Sequence, residues 1–500
     1  MKKSAILSLA SLLLATGCVD SLNDYNVDPK NASVVPGVTL VSSAELGLAR
    51  NMSSISVNSN VFELIEQYWA ETTYPDETTY NFDTRQISRN FWRSMYLSNG
   101  STTPTVPPGV LLNLSEAKRL ITADNTLDAA VKANQLACAE VLAVYAWSVL
   151  VDTYGNIPYS EALDAAKPQP KYDDAATIYT DLFTRLNAAI TSMNTASAGL
   201  GSADIIYGGS MTSWKRFANS LKLRMAITTA DANAANSKTQ AEQAATSGVF
   251  TSNEQQANFA FASVQPNTNP IWEGLIQSGR RDFVGTTTFV NQLKTLSDPR
   301  LPLYFQPTIA GANKGTYSGG TYGIVNVYTL ASLPGAPLES PTFPGVLASY
   351  SEVEFLLAEA VERGFNVGGT AAAHYNAAVT ASITYWGNFD STNGSSYYTA
   401  AAATYLAQPS VAYTTATGTY KQKIGTQKWI AEYIQPVQAW TDQRRLDYPA
   451  LVAPSTALSG FPVRLKYPTE ELSLNAANYT TAAAAIGGDK VETKLFWDKF

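Results

Sequence analysis

Apolar residues recur at three- and four-residue spacing through most of the chain, the period of helices with one buried face. Leu46, Ile55, Phe62, Ile65 and Trp69 form a broken stripe and predict a helix over 42–71. A shorter helix is expected over 88–97. Stronger stripes predict helices over 115–123, 127–151, 172–195 and 213–231, with Asp173 as the natural cap of the third. Trp214, Phe217, Leu221 and Met225 share one face of the last. A short helix near 238–246 follows, then 350–364 and 371–386. The last long helix runs from 424 to about 445, where Pro436 either kinks it or separates two shorter helices.

Between these stripes the pattern lapses. Residues 72–86, TTYPDETTYNFDTRQ, read as a polar and aromatic loop, and 101–109 as a Pro-rich break. Residues 232–349 are largely Gly- and Pro-punctuated, 387–420 read as loop, and 454–500 as short segments and turns. The fold class predicted is mainly α. Paired helices of tetratricopeptide type form a scaffold over about 110–230 and 350–446, with a loop-rich, irregular part at about 232–349 and 387–420 packed over it. No clean 34-residue consensus repeat is present.

The N-terminus follows different rules. Lys2 and Lys3 precede an apolar run too short to span a bilayer, and Leu14-Ala15-Thr16-Gly17-Cys18 resembles a bacterial lipobox. Residues 1–17 are expected to be a lipoprotein signal peptide, with Cys18 lipidated, 18–35 a lipidated tether, and 36–500 a single domain. The chain would thus be anchored to a membrane by lipid rather than span it. Cys138, the other of two cysteines, then has no disulfide partner and reads as a small buried residue.

Composition narrows the chemistry. Only 15% of the 500 residues are charged and the formal net charge is −7, which argues against a nucleic-acid partner. His374 is the sole histidine and sits in an ordinary alanine-rich helix, so a Ser–His or Cys–His nucleophile has little to work with. There is no G-x-S-x-G elbow, and no histidine cluster or calcium loop points to a metal or other cofactor. Acid pairs of the kind a glycosidase uses can be drawn from Asp76/Glu77, Glu352/Glu354 or Glu359/Glu362, but such pairs are easy to find and capping or salt bridging is by far the stronger reading of them. The 27 tyrosines and 9 tryptophans are more suggestive, because flat rings cover the C–H faces of sugars while amides and carboxylates take the hydroxyls. Tyr74, Tyr80, Phe82, Trp272, Phe283, Tyr317, Tyr322, Tyr397 and Tyr398 are the loop-borne candidates for ligand contact. Trp214, Trp429 and Trp440 fall on helix faces and are assigned to core.

A series of short segments then acquires meaning by its order. Asp152-Thr153-Tyr154-Gly155-Asn156-Ile157-Pro158, WKRFANSLKLR from Trp214, Asp298-Pro299-Arg300-Leu301 and EFLLAEAVERG from Glu354 are followed by Gln427-Lys428-Trp429-Ile430-Ala431. WTDQRRLDYP from Trp440, Pro462-Val463-Arg464-Leu465-Lys466-Tyr467-Pro468 with Glu470, and Trp497-Asp498 complete the series. Together they resemble the SusD/RagB family of nutrient-binding outer-membrane lipoproteins of the Bacteroidota. The resemblance implies four tetratricopeptide-type helix pairs, no catalysis and lipid attachment at the outer membrane, with the protein exposed at the cell surface. It also implies a partner, a TonB-dependent SusC-like transporter to which a captured glycan, or alternatively a peptide or glycoprotein fragment, is delivered. A surface glycosidase and a purely structural partner of the transporter are the remaining readings. Arg444, Arg445 and Arg464 are expected to serve the fold by satisfying buried carbonyls or carboxylates.

Overall fold

The computed structural model describes residues 35–97 and 109–500. Cys18, the signal segment, all of the tether except residue 35, and residues 101–108 of the Pro-rich break lie outside the described residues.

Most of the long helices begin where a polar side chain takes up a free N–H of the first turn. Asp128 caps α4 (Ala129–Tyr154), Asp174 caps α5 (Ala175–Ser192), and Ser210 caps α6 (Met211–Thr228). Asn233, Ser349 and Thr370 do the same for α7 (Ala234–Ser247), α8 (Tyr350–Glu362) and α9 (Ala371–Gly387). Ahead of them come α1 (Gly37–Ser53), α2 (Ile87–Tyr96) and α3 (Val110–Ala123). Behind them are α10 (Ser395–Leu406), α11 (Tyr420–Ala431) and α12 (Pro436–Leu446). Packing is pairwise: α1 on α3, α4 on α5, α6 on α7 and α8 on α9, four stacked pairs among the described residues. Helix α4 is long and apolar enough to cross a membrane, yet 83% of its most apolar window is buried inside the fold.

The structure corrects three sequence expectations and decides a fourth. The helix expected over 42–71 stops at Ser53. The chain turns, with the Asn60 amide donating to the Asn51 carbonyl at 3.0 Å, makes one helical turn at Phe62–Ile65, and enters strand β1 (Trp69–Glu71). That strand exists because it pairs antiparallel with Phe283–Gly285, a partner no local pattern reveals. The cap of α5 is Asp174 rather than Asp173, whose carboxylate instead accepts the Ser160 N–H at 2.7 Å. Residues 395–406, expected as loop, are helix α10. Of the two roles open to Pro436 it takes the second, starting a separate helix, since the first turn needs no N–H from it.

The motif residues tie these helices together. Arg224 on α6 forms a bidentate pair with Glu352 on α8 at 2.5 and 2.7 Å. Arg445 on α12 bonds Glu359 on α8 and, at 2.6 Å, Asp442. Arg444 donates to the Asp152 and Val463 carbonyls at 2.8 Å, and Arg464 to the Tyr154 carbonyl at 3.0 Å and Asp489 at 2.6 Å. Trp214, Trp429 and Trp440 are buried, as their helix positions implied. A second core is aromatic: Tyr304 stacks on Tyr433 at 4.4 Å, and Phe289 meets Trp429 edge-on at 4.7 Å.

Candidate functional site

The β1–β2 ribbon, with β2 at Phe283–Gly285, positions the candidate site. Past Glu71 the chain enters the 72–86 loop. The Thr72 N–H donates to the Asp282 carbonyl at 2.9 Å and its hydroxyl to the Arg281 carbonyl at 2.5 Å, which fixes the start of the loop beside the 278–282 turn. Tyr74 stands out from this loop 59% exposed, with the Arg85 guanidinium 6.0 Å from its ring centre. Beneath it Glu71 and Glu77 are buried side by side. The Glu71 carboxylate accepts the Thr78 N–H and hydroxyl at 3.1 and 2.9 Å, and Arg85 pairs with Glu77 at 2.6 Å. Burial, and then the Glu77 carboxyl beside it, pushes Glu71 far above the usual carboxylate range, so the pair holds a proton at neutral pH.

Two features flank Tyr74's loop. On one side lies a cavity of about 360 Å³ walled by Ile55, Val57 and Phe283, with Ser278, Arg280 and Asp282 as its polar rim. On the other, the 321–330 segment is anchored by Asn326, whose backbone N–H donates to the Glu71 carbonyl at 3.1 Å. This anchoring leaves Ile324, Val325, Val327, Tyr328 and Leu330 exposed. A ring, an apolar ridge and a charged rim on rigid backbone suit an uncharged, hydroxyl-rich ligand.

The nine sequence candidates divide. Tyr74 is exposed on the ribbon face, whereas Tyr317 and Tyr322 are partly buried, Tyr322 with its hydroxyl donating to the Leu64 carbonyl at 2.7 Å. Tyr80 and Phe82 gather with Tyr322, at ring separations of 6.1 Å (Tyr80–Phe82) and 6.3 Å (Tyr80–Tyr322), but are themselves buried. Phe283 is a strand residue against Trp69, 5.4 Å between rings, and shows only an edge to the cavity. Trp272 is half-buried on the short helix Pro270–Trp272. Tyr397 and Tyr398 lie elsewhere, on α10. Tyr397 is 54% exposed, while Tyr398 is buried with its hydroxyl on Asp390 at 2.6 Å. The expectation of nine loop-borne rings is therefore corrected for Trp272, Phe283, Tyr397 and Tyr398, which sit on helix or strand. Sequence reasoning missed Tyr328, 40% exposed, whose signal is an apolar run inside a Gly-rich segment.

The acid pairs have structural partners. Glu352 holds Arg224, Glu354 accepts from His374 at 2.6 Å, Glu359 binds Arg363 at 2.7 Å, and Glu362 accepts the Tyr413 hydroxyl at 2.6 Å. Among the described residues no group of three or more His, Cys, Asp or Glu side chains could hold a metal. Cys138 is buried against the Met211 sulfur at 3.7 Å.

Stacked helix pairs carrying an irregular, aromatic-rich part define the class of architecture, a helical-repeat scaffold with a loop-rich face set on it. The SusD-like family model, described as starch-binding and associating with the outer membrane, matches residues 29–468. The chain belongs to this family of non-catalytic, nutrient-binding outer-membrane lipoproteins. Among solved structures, a chitin-binding protein is 26% identical with a TM-score of 0.77, covering 93% of this chain and 100% of its own. A SusD homolog from Bacteroides uniformis is 25% identical, TM-score 0.73, over 93% and 99%. A chitin-binding SusD homolog from Flavobacterium johnsoniae, 24% identical over 92% and 98% with a TM-score of 0.74, shares the fold. No curated protein matches the chain.

Proposed function

We propose that this lipoprotein, tethered through Cys18 and displayed at the cell surface, captures an oligosaccharide on the Tyr74 face and passes it to a TonB-dependent, SusC-like barrel. The observation that carries the reading is the exposed Tyr74 ring, set between a polar-rimmed cavity and an apolar ridge on a family scaffold. Of the nine ring candidates, Tyr74 is the primary contact, with Tyr317 and Tyr322 supporting it, while Phe283 walls the adjoining cavity and the buried Tyr80 and Phe82 take no part in this face. Residues 36–500 act as one domain, with the helix pairs as scaffold and the ribbon and loops as the binding part. Binding proceeds without bond making or breaking, by stacking on sugar C–H faces and hydrogen bonds from neutral and charged rim groups.

The names of two structural neighbours make N-acetylglucosamine oligomers the first probes, with starch-type oligomers next. The test is a titration of soluble residues 19–500 with these glycans and with a peptide library. Saturable glycan binding with the sugar recovered intact is expected. Peptide binding without glycan binding, or glycan cleavage abolished by one carboxylate substitution, refutes the proposal.

A further inference from the structure

The inner side of the 80–89 segment faces a second feature, distinct from the Tyr74 face. Residues 458–492 fold against it, the Leu458 N–H donating to the Thr79 carbonyl at 2.9 Å and the Val463 N–H to the Val491 carbonyl at 2.8 Å. Two adjoining cavities open between these segments, of about 330 and 340 Å³, each at the small end of ligand-binding pockets. Both are lined by Phe82, Asp83, Lys466 and Asp489. The Lys466–Asp83 ion pair, 2.6 Å, is part of the wall they share. With Asp83 64% exposed, solvent screens that pair and it opens at little cost.

The wall chemistry selects the occupant. Arg464 is paired with Asp489 at 2.6 Å, Arg89 with Glu470, and Glu492 accepts the Gly460 N–H at 3.0 Å. Lys490 also lines the second cavity, so basic and acidic groups nearly balance around the walls and the cavities offer no strong net field to a free ion. Phe82, Tyr467 and Tyr479 supply aromatic surface. Tyr467 is 3% exposed, and its hydroxyl has no hydrogen-bond partner. Such a buried hydroxyl is costly until something pairs with it, and a ligand hydroxyl or amide would do so.

We infer that these cavities form a second, two-chambered glycan groove, in which one neutral sugar unit occupies each side of the Lys466–Asp83 strut. The choice of a glycan rests on the proposed function; the position and chemistry of the groove rest on its own walls. The experiment is calorimetric titration of residues 19–500 with the N-acetylglucosamine hexamer and with maltohexaose. It compares the unaltered chain with Leu472→Trp, Thr469→Trp and Tyr74→Ala. Leu472 is 55% exposed at the mouth, so Leu472→Trp blocks entry without touching the core, and Thr469→Trp blocks it from a second side. Two binding events are expected for the hexamer that binds. The groove variants should lose one, at least ten-fold in affinity, and Tyr74→Ala the other. Binding lost in the groove variants but kept in Tyr74→Ala supports the groove and refutes the Tyr74 face. A single event unchanged in both groove variants overturns the groove and leaves the Tyr74 face standing. No binding of either hexamer to any version overturns both.

Discussion

Arg224→Met tests whether the ordered motifs serve the fold rather than the ligand. Arg224 is 6% exposed and reaches from α6 to α8, with two bonds to Glu352, a third to the Leu347 carbonyl at 2.9 Å, and the Tyr145 ring 5.1 Å from its guanidinium. Methionine keeps much of the stem but leaves the Glu352 carboxylate, 1% exposed, with Gln435 at 3.0 Å as its remaining side-chain donor. Removing one partner of a buried pair costs about 3–5 kcal/mol, more than the pair's net worth, because a desolvated charge is stranded. At roughly 2 cal/mol/K of unfolding entropy per residue, a domain this large loses about 1 °C of Tm per kcal/mol, so a fall of about 3–5 °C is expected. Adding Glu352→Gln removes the stranded charge, and the double variant should regain at least 1 kcal/mol, a non-additivity typical of contacting groups. Calorimetry gives Tm and urea denaturation the free energy, while glycan affinity at 20 °C should not change. A loss under 1 kcal/mol, strict additivity, or a fall in glycan affinity without a fall in Tm would refute the structural role.

Other predictions follow from single sites. Tyr74→Ala should cost about 1–2 kcal/mol of glycan binding, roughly ten-fold in affinity, with Tm unchanged because the ring is exposed. His374 bridges Glu354 and the Gly368 carbonyl through its two nitrogens, and the Glu354 hydrogen bond raises its pKa above 6.5. A raised folded-state pKa stabilises fully below the unfolded value and fades as pH climbs through the folded one. Tm should therefore decline above about pH 6.5 in the native chain and less so in His374→Gln, as thermal scans from pH 5 to 9 would show. Glu71, pushed up to about 9, keeps its proton in the folded chain while an unfolded glutamate ionises above about pH 4.3, so native stability falls as pH climbs between the two values. Glu71→Gln has no proton to lose and should raise Tm at pH 7 and flatten the decline toward pH 9, again by thermal scans. Gly335→Ala should sharply reduce the yield of folded protein, because a Cβ there would sit 1.9 Å from the Leu303 carbonyl oxygen, a backbone atom that cannot step aside. Normal expression and Tm for that variant would contradict the packing of the 301–335 region.

The helices were legible where a long stripe met a capping side chain, as at Asp128, Ser210 and Ser349. They were misread where tertiary pairing overrode local pattern. Trp69–Glu71 carries the apolar spacing of a helix but is a strand because Phe283–Gly285, over two hundred residues away, lies beside it. The alanine- and tyrosine-rich α10 has little amphipathic contrast and reads as loop until it is packed against α9. The site was half legible. Hydroxyl- and aromatic-rich loops marked the 72–86 segment, but nothing local distinguishes exposed Tyr74 from buried Tyr80 six residues on. That difference arises from where Asn326, Tyr322 and residues 458–461 fold over the loop.

The central claim is that an oligosaccharide docks on the ribbon face around Tyr74. Hydrogen–deuterium exchange of residues 19–500, with and without a saturating oligosaccharide that binds, tests it most directly. The account predicts slowed exchange in 72–78, 278–283 and 321–330, with the helix pairs α4–α5 and α6–α7 unchanged. Protection confined to those helix pairs, with none at the ribbon face, would contradict it.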